Sequence, residues 1–170
     1  MTSENKKSQR KIDAQLGARS RARARAVEIL YEADSRREDP QLVLGERRRR
    51  YMDDPHEAPR LPSYSQQLVS GVSEHRASID RAIDDAAIGW SLERMPIVDR
   101  NILRIAVYEL RHVDDVDVPV AIKEALRVAE HLSSVDDPAF FNAVLDKVAH
   151  ERGPEEDTAS DSDDTGSESS

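Results

Sequence analysis

The stretch PIVDRNILRIAVYELRHV, from Pro96 to Val113, is the most hydrophobic segment of the chain and decides the fold. Between Asn101 and Leu110 only Arg104 and Glu109 are charged, and apolar residues occupy most of the circumference of a helix drawn through them. A helix that is apolar on most of its surface is buried by several others. The stretch therefore predicts a central helix inside an all-α bundle.

The composition of the 170 residues agrees with a helical fold class. Aromatic residues make up 4% of the chain and charged residues 35%, whereas sheets favour aromatic and β-branched residues. No cysteine is present, which excludes a disulfide framework, a thiol nucleophile and a cysteine metal site. No run approaches the ~18 apolar residues of a membrane helix, and the N-terminus lacks a signal-peptide core. We therefore expect a soluble, cytoplasmic protein with no membrane contact.

Amphipathic helices are predicted on both sides of the central segment, because apolar residues recur there at helical intervals. The whole chain is expected to form six or seven helices. Outside the central segment they are expected at about 16–35, 41–52 and 64–87, from 120 onward and from 138 onward. Ser63 is the expected N-cap of the third helix, and WSLERM is expected to add a turn before the central helix.

Several side chains of the outer helices are assigned to the core from their positions on the helical wheel. Val120 is expected to point inward at the start of its helix. The predicted inner face of the last helix consists of Phe141, Val144, Leu145 and Val148. Three further aromatic residues are assigned to the core: Tyr31, Trp90 and Tyr108.

The charge of the chain is segregated, although its net value is -9. Residues 1–25 hold eight Lys or Arg against two acidic residues, a net of +6, whereas residues 153–170 hold seven acidic residues and no basic one. Neither end has the hydrophobicity to pack against a core. We therefore expect a basic disordered arm at 1–15, a helical domain at 16–152 and an acidic disordered tail at 153–170.

Residues with catalytic or metal-binding potential show no recognised arrangement. The five histidines lack a ligand spacing such as HExxH, and no phosphate-binding glycine-rich loop occurs. Asp80, Asp84 and Asp85 lie close together in sequence, and a solvated helix face is the expected explanation. The sequence therefore predicts a protein that is not an enzyme and that has no cofactor and no metal.

Four arginines at alternate positions, Arg19, Arg21, Arg23 and Arg25, begin the first predicted helix. The helical wheel places Arg21 and Arg25 toward solvent and Arg23 at the rim of the apolar stripe. Cations in a first turn oppose the helix dipole, at a cost of about 0.3–1 kcal/mol each. A plain solvated surface is one explanation. The other is an external polyanion, for which an RNA backbone is a natural candidate because arginine binds phosphate well.

Four motifs, in this order along the chain, resemble the NusB family of bacterial transcription antitermination factors: ARSRARARAVEILYEAD, VDRNILRIAVYEL, VPVAIKEALRVAE and FFNAVLDK. The resemblance covers roughly residues 18–150. It implies an all-α fold of two small helical bundles. It also implies binding of single-stranded boxA RNA together with the ribosomal protein NusE, in an RNA polymerase antitermination complex that transcribes ribosomal RNA.

The same resemblance implies roles for particular residues. The arginines of the first helix match the RNA-backbone contact of the family. In the last motif Phe140 matches an aromatic residue that stacks on a base, Asn142 matches the motif asparagine, and Asp136 lies in the loop before them. Asp99, at the start of the central helix, is a candidate for the NusE surface. The chain departs from the common motif at Ala139 and Ala143, where a lysine and a glycine are usual.

Two other functions remain open from the sequence. The chain could be a protein-only helical adaptor in ribosome or polymerase assembly, with a basic arm that meets acidic partners. NusB-like domains also precede the catalytic domain of some ribosomal RNA methyltransferases, but this chain has neither the long α/β cofactor domain nor the catalytic cysteine. NusB proteins occur as monomers and as dimers, so a homodimer is also open.

Overall fold

The computed structural model describes residues 16–134 and 138–151. This part of the chain forms α1 (Ala18–Arg36), α2 (Pro40–Asp53), α3 (Ser63–Glu74), α4 (Arg76–Ala86), α5 (Ile97–His112), α6 (Val118–Leu132) and α7 (Ala139–His150), with a 3-10 turn at Leu92–Arg94. None of these helices is both long and apolar enough to cross a membrane. The predicted basic arm, the predicted acidic tail and Asp136 lie outside the described residues.

The helix α5 is the central helix that the sequence predicts. Every residue from Asn101 to Leu110 is buried, and α5 packs against α1, α3, α4, α6 and α7. Leu103 and Leu110 are fully enclosed, and burial of one such side chain contributes about 1.5–3 kcal/mol. The prediction of an all-α bundle around this segment is confirmed, and α5 fixes the positions of the helices that surround it.

The two charged side chains of the central stretch, Arg104 and Glu109, are both paired inside the fold. Arg104 donates to Asp80 and to Asp34 at 2.8 Å each, and Glu109 accepts hydrogen bonds from Arg23. Burial alone would raise the pKa of Asp34, but the surrounding guanidinium groups, Arg104 foremost, hold it below its ordinary value. Asp80 thus belongs to an ion cluster between α1, α4 and α5, and the prediction of a merely solvated face is wrong for this residue.

The single helix predicted over 64–87 is two helices, α3 and α4, that separate at His75. The two pack against different neighbours: α3 lies on α1 and α2, whereas α4 lies on α7. The predicted N-cap is also wrong, because Ser63 is already the first helical residue. Gly71 allows α3 to approach α5 closely, since a Cβ atom there would lie 2.1 Å from Cζ of Tyr108.

Tyr108 is buried as predicted, but Tyr31, Trp90 and Val120 are exposed. Trp90 lies in an exposed segment after α4 that already begins at Ile88 and that contains Gly89, which has a positive φ of 81°. Val120 lies in the first turn of α6, because that helix begins two residues earlier than predicted and accommodates a proline there. The early start of α6 accounts for Val120, whereas α4 ends within one residue of the predicted 87. Tyr31 lies in the middle of α1, on the side that faces away from the buried Ile29 and Ala33.

Candidate nucleic-acid interface

Arg19 is the most exposed of the candidate arginines at the start of α1. Half of its side chain is open to solvent (51%), and one terminal nitrogen forms a 3.0 Å ion pair with Asp115 in the loop before α6. Its guanidinium carbon lies 4.3 Å from the centre of the Tyr64 ring. Stacking of this kind holds a guanidinium in one orientation while its N–H donors remain available at the edge.

Arg23 has a different role from the one predicted. It is only 3% exposed, and its Nε and terminal nitrogen donate to the carboxylate of Glu109 at 2.9 and 2.7 Å. A second carboxylate, Glu124 of α6, lies 3.3 Å from it. Burial opposes the charge, but Glu109 outweighs this effect and raises the pKa of Arg23. A buried guanidinium shared by two carboxylates is not presented to RNA, so the predicted contact is corrected here.

Arg21 and Arg25 are partly exposed, in agreement with the helical wheel. A terminal nitrogen of Arg21 donates to the backbone oxygen of Leu16 at 2.6 Å, and Arg25 lies 3.3 Å from Glu28 on the next turn. These contacts restrain both side chains along the outer face of α1. Arg19 lies on another side of α1, so the three form a set of accessible cations around the start of this helix, which we call the α1 basic surface.

The start of α7 presents one of its two neighbouring phenylalanine rings. Phe141 is 1% exposed and packs in the core, whereas Phe140 is only partly buried, as the adjacent helix positions predict. The edge of the Trp90 ring meets Phe140 with 6.3 Å between ring centres, and Trp90 is 57% exposed. Asn142 is exposed beside them. The sequence reasoning missed Trp90, because it placed this side chain in the core.

The structure places the predicted contacts at two ends of α5. Arg23 of α1 binds Glu109, and Ser133, which precedes α7, donates to Asp99. Glu109 and Asp99 are ten residues apart on one helix, which corresponds to about 15 Å along its axis. The α1 basic surface therefore lies near one end of the domain and Phe140 near the other, and these residues do not converge on one point.

An open groove lies along α6 and ends at the start of α7. It has a volume of ≈ 750 Å³, with Lys123 and Arg127 among its lining residues on α6 and Pro138 and Phe141 at the start of α7. Glu130 also lines the groove, and Glu124, the neighbour of Lys123 in sequence, contacts the buried Ser20 of α1. Lys123 and Arg127 are exposed cations that the sequence reasoning did not single out.

Asp99 does not form part of the molecular surface. It is 2% exposed, and its Oδ1 accepts a 2.6 Å hydrogen bond from the hydroxyl group of Ser133. Burial raises the pKa of Asp99, and the hydrogen bond from Ser133 offsets this only in part. A direct contact between this carboxylate and a partner protein is incompatible with its burial, so the prediction of Asp99 as a NusE contact is corrected.

Within the described ranges, no group of three or more His, Asp or Glu side chains could hold a metal ion.

Comparison with known proteins decides the family. The model of the NusB family matches residues 20–150, which include nearly all of the described domain. The chain belongs to the NusB family. The transcription antitermination protein NusB of Thermobifida fusca is 46% identical over 136 residues, which cover 80% of this chain and 92% of that protein.

Solved NusB structures share the fold. T. maritima NusB superposes with a TM-score of 0.68 at 31% identity, covering 81% of this chain and 94% of the other. The NusB chain in a crystal structure of antitermination factors NusB and NusE with double-stranded RNA gives a TM-score of 0.63 at 24% identity, covering 79% and 99% of the two chains. At 24% identity, the similarity to this chain of the RNA complex establishes the fold and nothing further.

Proposed function

We infer that this NusB-family chain is a transcription antitermination factor that binds boxA-type single-stranded RNA together with the ribosomal protein NusE. Relatives that match most of this chain are named transcription antitermination protein NusB. A crystal structure of NusB and NusE contains double-stranded RNA. The RNA polymerase antitermination complex is the assembly in which such a pair would act, in the cytoplasm. Catalysis is not part of this proposal.

The observation that carries the proposal is that one domain presents accessible cations at the start of α1 and partly exposed aromatic rings beside the start of α7. The α1 basic surface supplies phosphate contacts, and Phe140 with Trp90 supplies a platform for bases. Lys123 and Arg127 add exposed cations beside the groove along α6, which ends at the start of α7. A flexible single strand can follow such a path, since backbone contacts and base stacking together account for most sequence-tolerant binding of single strands.

NusE is proposed to bind near the start of α5, where Asp99 is buried and would influence NusE only through the position of Ser133 and the end of α6. A homodimer is a further proposal that the sequence left open. Because a dimer that covered α1 would hide its cations, RNA binding and dimerisation would then compete.

The direct test is a titration of labelled boxA RNA with the full chain, with and without NusE, while the mass in solution is measured. We expect binding to the RNA that weakens as salt is raised, and tighter binding when NusE is present. Binding of NusE without any RNA affinity would contradict the proposal and favour the protein-only adaptor. If removal of the RNA raises the mass in solution to that of a dimer, the result would support competition between RNA binding and dimerisation.

Phe140 and Phe141 provide a matched pair for the base platform. We expect Phe140→Ala to weaken RNA binding by roughly 1–3 kcal/mol, because a stacked base loses its aromatic partner. Phe141→Ala should instead lower the free energy of unfolding by ~3–5 kcal/mol, because this ring fills the core. Fluorescence titration and urea unfolding measure the two effects. The platform is wrong if Phe140→Ala leaves RNA affinity unchanged while the protein remains folded.

A further inference from the structure

The arginine run at the end of α2, Arg47 to Arg50, lies outside the α1 basic surface. Arg47 is occupied, because its terminal nitrogen lies 2.6 Å from Glu32 of α1. Arg48 is exposed, and its Nε donates to the side-chain oxygen of Gln66 at 2.7 Å. Among the described residues, no carboxylate pairs with Arg48 and none accepts from its terminal nitrogens. The guanidinium is thus held by a neutral group while most of its donors stay open.

Gln66 connects Arg48 to the segment that leads into α3. The amide nitrogen of Gln66 donates to the backbone oxygen of Leu61 at 3.3 Å, so Arg48 lies against the segment that leads into α3. Arg60 precedes Leu61 in this segment and is exposed, and in the described part of the chain it makes no ion pair. Arg48 and Arg60 together form what we call the second basic surface.

The first turn of α3 connects this surface to Arg19. Tyr64, whose ring supports Arg19, is two residues before Gln66, which corresponds to about 3 Å along the helix axis. Residues two apart point to different sides of a helix, which fits the packing of α3 between α1 and α2. The first turn of α3 contains no acidic residue. No negative charge of α3 therefore separates Arg19 from the second basic surface.

We propose that single-stranded RNA bound at Arg19 continues across the start of α3 and that Arg48 and Arg60 bind its phosphates. This inference rests on the proposed function and extends the RNA path beyond the α1 basic surface. Among the described residues neither guanidinium pairs with a carboxylate, so the donors of both are open to phosphate oxygens. Orientation by Gln66 lowers the entropy cost of binding at Arg48, because its side chain is already restrained.

The test compares two labelled single-stranded RNAs that contain the boxA element, a core of about 12 nucleotides and a form extended at both ends to about 24. The variant is Arg48→Gln with Arg60→Gln in the full chain. The control is Arg37→Gln with Arg81→Gln, which removes two exposed charges from the end of α1 and from α4. Binding is measured from about 0.05 to 0.3 M salt, where a slope is well defined.

For the extended RNA we expect the variant to lower the salt slope by about 1.4, at ~0.7 per lost phosphate contact, and affinity by about 25-fold at 0.1 M salt. For the core RNA the variant should behave as the wild type, and the control should leave the binding of both RNAs unaffected.

Equal binding of the extended RNA by variant and wild type would overturn this inference and leave the proposed function intact. Loss of NusE binding with unchanged RNA binding would overturn it too, since the surface would then serve a protein. Failure of the wild type to bind either RNA would overturn the proposed function itself.

Discussion

Replacing Arg23 with alanine should lower the free energy of unfolding by about 3–5 kcal/mol, because the change leaves Glu109 as an unpaired carboxylate in the interior. Glu109 is 1% exposed, and Arg23 is bound to it through two nitrogens. The remaining donor is the hydroxyl group of Tyr64, at 2.5 Å, and one neutral donor cannot replace the charge. At about 2–4 °C per kcal/mol for a domain of this size, the melting temperature should fall by roughly 10 °C.

Arg21→Ala is the matched control, on the same helix and two residues earlier. Its side chain is only partly buried and donates to a backbone oxygen, so we expect a loss of about 1 kcal/mol. The double variant Arg23→Met with Glu109→Leu should recover most of the stability, because an apolar pair often replaces a buried ion pair without loss. Urea unfolding measures all three. A loss below about 1 kcal/mol for Arg23→Ala would show that the ion pair does not support the fold.

The sequence predicted those features of the fold that depend on the spacing of apolar residues within a single helix. The apolar circumference of Asn101–Leu110 identified α5, and the spacing of Phe140 and Phe141 correctly placed one ring at the rim and the other inside. Helical periodicity gives the direction of each side chain relative to its own helix. It does not reveal which element lies opposite.

The errors in the candidate site arise from this limit. Arg23 was placed at the rim of its helix, but its partner Glu109 is 86 positions away and becomes adjacent only in the folded chain. Asp99 is buried by Ser133, from the end of another helix. Trp90 was assigned to the core by residue type, although it lies in the exposed segment after α4, where its ring contacts Phe140.

The second large effect is on RNA binding and concerns Arg19, Arg21 and Arg25. Replacing all three with glutamine should lower the salt slope by about 2, at ~0.7 per phosphate contact, and affinity at 0.1 M salt by about 100-fold. Glutamine is a good helix former, so α1 should remain intact. Arg37→Gln with Arg81→Gln is again the control, because it removes exposed cations that lie off the proposed path. It should leave the slope unchanged.

The dependence of boxA RNA affinity on salt, measured for the wild type and for this triple variant, tests the central claim most directly. The claim is that α1 binds the RNA backbone through these accessible cations, whereas Arg23 serves the core. Circular dichroism and urea unfolding should show that the triple variant is folded and nearly as stable as the wild type. We predict a slope smaller by about 2 for the triple variant. An unchanged slope in a folded triple variant would contradict the claim and would place the RNA on another face of the domain.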